Sequence, residues 1–174
     1  MSNEIERELE ACLPRLFGYA MTLASDRELA RDLLHDCAVK ALAATNPPAD
    51  RPALRAWLFR ILRNAWIDAR RREMRAPFET GEPQELPDGE YWRGDERLID
   101  QITVKQALER LSLAHREVIA LVDFAGFTYD EVATILDMPA GTVMSRLARG
   151  RKALLVALGD NNIRAFRVSR RSRT

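Results

Sequence analysis

An all-α fold, two small helical domains joined by a flexible acidic linker, is the class this sequence predicts. Apolar residues recur at helical spacing over most of its 174 positions, and strand-like alternation is nearly absent. Residues 76–96 break that period with three prolines, three glycines and a run of acids, the composition of a linker. The net charge is only +1, yet the charges are segregated. Residues 51–75 hold 8 basic and 2 acidic side chains, residues 76–100 hold 2 and 8, and residues 141–174 hold 9 and 1.

The first helix is expected over residues 4–23, with Leu9, Leu13, Leu16, Phe17 and Ala20 on one face. Ser25 and Glu28 have capping-box spacing and open a helix to about Ala43, with Leu29, Leu33, Leu34 and Ala41 inward. "TNPPADRP" then stops the chain, because proline lacks an amide donor and restricts its predecessor. A third helix is expected from Ala53 to Met74. Trp57, Leu58, Ile61, Leu62, Ala65 and Ile67 form its buried stripe, and Arg55, Arg60, Arg63, Arg70, Arg71 and Arg72 lie mostly off it. After the linker, "DQITVKQALERL" makes one helix and "SLAHREVIALVDF" another, capped by Ser112 and ended by Gly126. Thr128 and Glu131 form a second capping box, for "YDEVATIL". "DMPAG" and a long basic helix follow. The expected boundaries are residues 1–75, a linker over 76–97, a second domain over 98–160, and a basic, frayed tail over 161–174.

Composition narrows the function. A hydrophobic fraction of 47% is enough for a core. No apolar run approaches the ~20 residues of a membrane span. "MSNEIERELEACL" lacks the basic start and apolar centre of a signal peptide, so a cytoplasmic chain with no membrane contact of its own is expected. Cys12 and Cys37 are the only cysteines and form no CxxC, which argues against a disulfide framework or structural zinc. No cofactor, metal or catalytic residue is expected. The best enzyme candidates, His35 with Asp32 and Asp36, or His115 with Glu117, lack a nucleophile or metal-ligand spacing beside them.

Two basic blocks on helices with apolar backing suggest two surfaces for a polyanion. A short helix, a tight turn and a longer helix over residues 128–154 have the helix-turn-helix arrangement, whose second helix enters the major groove by its N-terminal end. Val132, Ile135 and Leu136 would pack against Val143 and Leu147, and Pro139 can start the second helix. Gly141 and Thr142 keep its start slim. Thr142, Ser145, Arg146 and Arg149 then fall on outward faces. Arginine can fork onto guanine, and Ser or Thr can reach a base or a phosphate. In the central block Asn64, Trp66 and Asp68 lie among arginines. Rings among guanidinium groups suit unpaired bases. Trp57 reads better as core, and Trp66 fits either role.

Three motifs in register carry a resemblance. They are "DLLHD" at Asp32–Asp36, "LRAWLFRILRNAWIDARRR" at Leu54–Arg72, and "LERLSLAHREVIALVDFAGFTYDEVATILDMPAGTVMSRLARGRKAL" at Leu108–Leu154. Together the chain resembles an extracytoplasmic-function sigma factor, of the sigma-seventy family of bacterial RNA polymerase subunits, over about residues 8–158. The resemblance implies that Asp32, Leu33, His35 and Asp36 contact the polymerase clamp. It implies that the loop Pro47–Pro52 with Asn64, Asp68, Arg70 and Arg71 serves the downstream promoter element and its melting. Thr142, Ser145, Arg146 and Arg149 would serve the upstream element. The implied partners are core RNA polymerase, promoter DNA and an anti-sigma factor. The acidic linker would follow the RNA-exit path. Three positions depart from the family pattern: His35 for glutamine, Ser112 for a frequent proline, and Met144 for a frequent Lys or Arg. The alternative, a stand-alone helix-turn-helix regulator, explains residues 98–158 but leaves the "RAWL…RN..ID" block without a role.

Overall fold

The computed structural model describes residues 2–24, 26–75 and 104–170, and the regular elements among them are all helical. They are α1 (Ser2–Ala24), α2 (Arg27–Leu42), α3 (Arg51–Arg75), α4 (104–109), α5 (Leu113–Ile119) with a π-helical turn (Ala120–Phe124) on its end, α6 (Tyr129–Leu136) and α7 (Ala140–Arg170). The expected linker, the start of the second unit at 98, Ser25 and residues 171–174 lie outside the described residues.

α1, α2 and α3 form one three-helix unit. Ile5, Leu9, Cys12, Leu16, Tyr19 and Leu23 recur at three and four residues and make the buried stripe of α1. Leu13 falls just off that stripe and is exposed, against expectation, while Phe17 packs at its edge. The cap of α2 is Asp26, one residue past the expected Ser25, and its carboxylate accepts from the Leu29 amide at 2.7 Å. Asp50 does the same work for α3, accepting from the Ala53 amide at 3.0 Å, so α3 begins at Arg51 rather than Ala53. A buried carboxylate, Glu8, ties α1 to the start of α3. It accepts from Arg51 Nε at 2.7 Å and from the Cys12 thiol at 3.3 Å.

α4 to α7 form the second unit. Val118, Ile119 and Leu121 pack with Val132, Ile135, Leu136, Val143 and Leu147, all fully buried or nearly so. Ser112 is the N-cap of α5, as expected, although its hydroxyl makes no capping bond. Gly126 follows the π turn at φ 74°, a conformation that costs glycine nothing. α7 continues to Arg170, past its expected end near 160, so the backbone of much of the basic tail is helical.

The two units share one core. Arg55, Phe59 and Arg63, at i, i+4 and i+8 of α3, form a second inward face. The Phe59 ring meets Phe127 edge-on, centroids 4.7 Å apart, and lies 5.6 Å from Tyr19. Arg55 donates to the Ala125 carbonyl at 2.7 Å and lays its guanidinium 4.2 Å over the Phe127 ring. Arg63 Nε, at 2.9 Å, and the Tyr19 hydroxyl, at 3.3 Å, both donate to Glu117 Oε1. Two arginines expected off the buried stripe are thus turned inward, because a second apolar surface lies on that side. Burial, reinforced by the Glu117 charge, pushes the Tyr19 hydroxyl well above its ordinary pKa.

Candidate nucleic-acid interface

The helix-turn-helix is set by local chemistry. Thr128 and Glu131 close the expected capping box. The Thr128 amide donates to Glu131 Oε2 at 2.7 Å, and the Glu131 amide donates to the Thr128 hydroxyl at 3.3 Å. α6 ends at Asp137, which takes the left-handed conformation at φ 53° and turns the chain. Pro139 sits before α7 rather than at its first position, and its carbonyl accepts from the Thr142 and Val143 amides at 2.9 and 3.2 Å. Val132, Ile135, Leu136, Val143 and Leu147 are all buried, so the two helices are rigidly paired.

That pairing leaves the expected face of α7 open. Ser145 and Arg149 are exposed, and Thr142 and Arg146 are half-buried at the same end. Ser145 donates to the Thr142 carbonyl at 3.0 Å, and Arg149 folds back to Ser145, its Nε 3.2 Å from the carbonyl and Nη2 3.3 Å from the hydroxyl. These are weak bonds within one exposed helix, and a phosphate or base edge can replace them. Arg151 is committed elsewhere: it pairs through both nitrogens with Asp123 of the π turn, Nε to Oδ2 at 3.1 Å. Met144 is 54% exposed and puts an apolar side chain on this face.

On α3, Asn64, Asp68, Arg70 and Arg71 are exposed, with Asn64, Asp68 and Arg71 at i, i+4 and i+7 on one side. Arg70 has a loose pairing with Glu73 at 3.7 Å, and Arg72 Nε reaches the Asp68 carbonyl at 3.3 Å. Trp57 and Trp66 are both half-buried and packed against the core.

The acidic motif of α2 divides. Asp32, His35 and Asp36 are exposed. They rim a groove of about 430 Å³ against Ala69, Arg72 and Glu73 of α3. Leu33 is 2% exposed, inward as its helical spacing predicts, and lines the floor of that groove. Residues 47–50 and Pro52 lie at the other end of α3, where Pro48, Asp50 and Pro52 face Asp130, Glu131 and Thr134 of α6 across a cleft of about 450 Å³. Among the described residues no cluster of three His, Cys, Asp or Glu could hold a metal ion, and no helix is long and apolar enough to cross a membrane.

The predicted residues therefore fall on three separate faces. A further set, buried Tyr19, Phe59, Glu117 and Phe127 with half-buried Arg55 and Arg63, lies between the units and is not foreseen from sequence. Its one legible signal is Glu117, an acid opening the apolar run "EVIALV".

Comparison with known proteins covers both units. Family profiles described as Sigma-70 region 2 and Sigma-70, region 4 match residues 9–76 and 101–154. The ECF RNA polymerase sigma factor EcfG of Rhodopseudomonas palustris is 29% identical over 164 residues, spanning 91% of this chain and 87% of the relative. The ECF RNA polymerase sigma factor SigL of Mycobacterium tuberculosis is 32% identical over 152 residues, 83% of each chain. Among solved structures, the sigma factor RpoE in complex with the anti-sigma factor NepR from Bartonella quintana aligns with a TM-score of 0.66 at 31% identity, over 88% of this chain and 96% of that one.

Proposed function

Because the chain belongs to the extracytoplasmic-function group of sigma-70 RNA polymerase sigma factors, we propose how its residues divide the work of promoter recognition. It is a transcription initiation factor that binds core RNA polymerase and directs it to promoters. Thr142, Ser145, Arg146 and Arg149 read the upstream element as duplex. Asn64, Asp68, Arg70, Arg71 and the loop Pro47–Pro52 take the downstream element as its strands separate. Asp32, His35 and Asp36 meet the polymerase clamp. Residues 1–75 and 98–160 act as the two functional domains, the acidic stretch 76–97 as their tether. An anti-sigma factor holds the chain inactive, as NepR is bound to its RpoE relative, and the chain works in the cytoplasm without catalysing a reaction.

The observation that carries this reading is the outward row of half-buried Thr142 and exposed Ser145 and Arg149 at the slim start of α7, held by a capped helix and a left-handed turn. A rigid helix start with small polar side chains and forked cations fits a major groove. The test compares two sets of variants with core polymerase. Arg146→Ala and Arg149→Ala should each cost about 1–3 kcal/mol of upstream-specific binding where the arginine forks onto a base. Asn64→Ala and Asp68→Ala should spare closed complexes and slow permanganate-detected melting. If the Asn64 and Asp68 variants melt promoters normally while Arg146→Ala fails to melt a promoter it still binds, the division is wrong.

A further inference from the structure

The outward side of α7 carries two rows, and only one of them is polar. Thr142, Arg146 and Arg149 stand at i, i+4 and i+7. Met144, Ala148 and Arg151 stand at the same spacing on the other side of Ser145. Met144 is 54% exposed, and Ala148 is exposed as well. Arg151, the cation of that second row, is engaged through Nε and Nη2 by both carboxylate oxygens of Asp123. Packing does not account for Met144, because Val143 and Leu147 fill the core from the opposite side of the helix.

A helix whose start enters a major groove brings both rows to base edges. The polar row suits the acceptors of purines and the phosphates beside them. The apolar row suits the one apolar group that a base pair displays there, the C5-methyl of thymine. Methionine is well shaped for such a contact. It is unbranched, has three rotatable bonds, and presents a polarisable sulfur that moulds to a small convex group. Ala148, one turn on, is small enough to leave room beside it. Met144 also works by exclusion. The amino group of a cytosine or adenine set against it would lose water and gain no partner.

We propose that Met144, with Ala148 beside it, is a specificity-determining contact that selects thymine in the upstream element through its methyl group. This deepens the reading of α7 as the helix that enters the upstream duplex, and rests on it. Uracil lacks that methyl and pairs identically, so the contact can be deleted from the DNA as well as from the protein.

The test uses core polymerase with the full-length chain. Bound duplexes are selected from a library randomised over the upstream element. Each thymine of the selected element, on either strand, is then replaced singly by deoxyuridine, and competition binding is measured. At one position the wild type should lose about fourfold, the weight of one methyl group leaving water. Met144→Ala should bind the thymine and uracil duplexes equally there. Met144→Lys should shift selection at that position from thymine to guanine, whose O6 and N7 accept. A selected element without thymine overturns the proposal. So does a wild type indifferent to uracil at every position, or a loss on uracil that persists undiminished in Met144→Ala. If uracil is neutral while Arg149→Ala still loses the element, the thymine contact fails and the reading of α7 stands. If the wild type selects no upstream sequence at all, the reading of α7 fails and the contact with it. Should Met144→Ala lose its helical signal by circular dichroism, Met144→Lys decides between these outcomes.

Discussion

The thiols of Cys12 and Cys37 are buried in the three-helix unit, and burial pushes them from 9.0 up to about 11 and about 12. For Cys12 the neighbouring Glu8 carboxylate adds to the rise. Folding therefore favours the neutral thiol. That stabilisation is complete below the unfolded value near 9.0 and is lost as pH climbs from there through about 11 and 12. The urea midpoint should hold up to pH 9.0 and fall steeply above it. Combining Cys12→Ser with Cys37→Ser should flatten the fall; an unchanged slope would assign it to other groups, Tyr19 first, whose phenolate would face Glu117. Single residues are unevenly legible in the sequence. Asp32, His35 and Asp36 are exposed as their polarity suggests, whereas Leu33 within the same motif faces inward because helical period outranks motif membership. Arg55 and Arg63 depart from expectation for a different reason. Arginine usually marks solvent, and only a second surface from distant sequence turns it into a half-buried donor.

Among the elements, α5 and α7 approach closely at Gly150. A Cβ there would lie 3.2 Å from Ile119 Cδ1 and 3.3 Å from His115 Cβ. An alanine needs a shift of a few tenths of an ångström, and a branched side chain adds two more methyl groups to the same gap. Gly150→Val should cost about 1–3 kcal/mol by overpacking, read as a lower denaturant midpoint at unchanged slope. If its stability equals that of the parent, the two helices are not packed so closely. Elements are the most legible level, since helices follow from local periodicity. The capping box of α6 can be read from sequence because both partners lie within four residues. Boundaries slip by a residue or two where neighbours compete: Asp26 caps in place of the adjacent Ser25, and Asp50 opens α3 ahead of its proline. The π turn at Ala120–Phe124 has no counterpart in the hydrophobic pattern, and its pairing with Arg151 spans 28 residues.

In the whole molecule, hydrophobic contact runs from α1 through Phe59 and Phe127 to α6 without a break. Two units that share a core should unfold together. Denaturant transitions followed by tryptophan fluorescence, to which Trp57 and Trp66 of the first unit contribute, should coincide with those followed by circular dichroism. Arg55→Ala should pull the two curves apart; separate curves already in the parent would mean that the shared core is not cooperative. The pairing of units is not legible in sequence, because its contacts join residues as far apart as Tyr19 and Glu117 and no period links them. Because both halves of that shared core lie on one chain, their association is a unimolecular event. Two faces carried on one chain meet at an effective concentration on the order of millimolar, whatever the abundance of the protein. Diluting the factor cannot loosen it, and a ligand that grips one half alone must overcome that local concentration. A polymerase that engages both halves in sequence meets no such threshold, since each contact it gains raises the local concentration of the next. Occupancy of promoters would then follow the supply of free polymerase more closely than the supply of the factor itself.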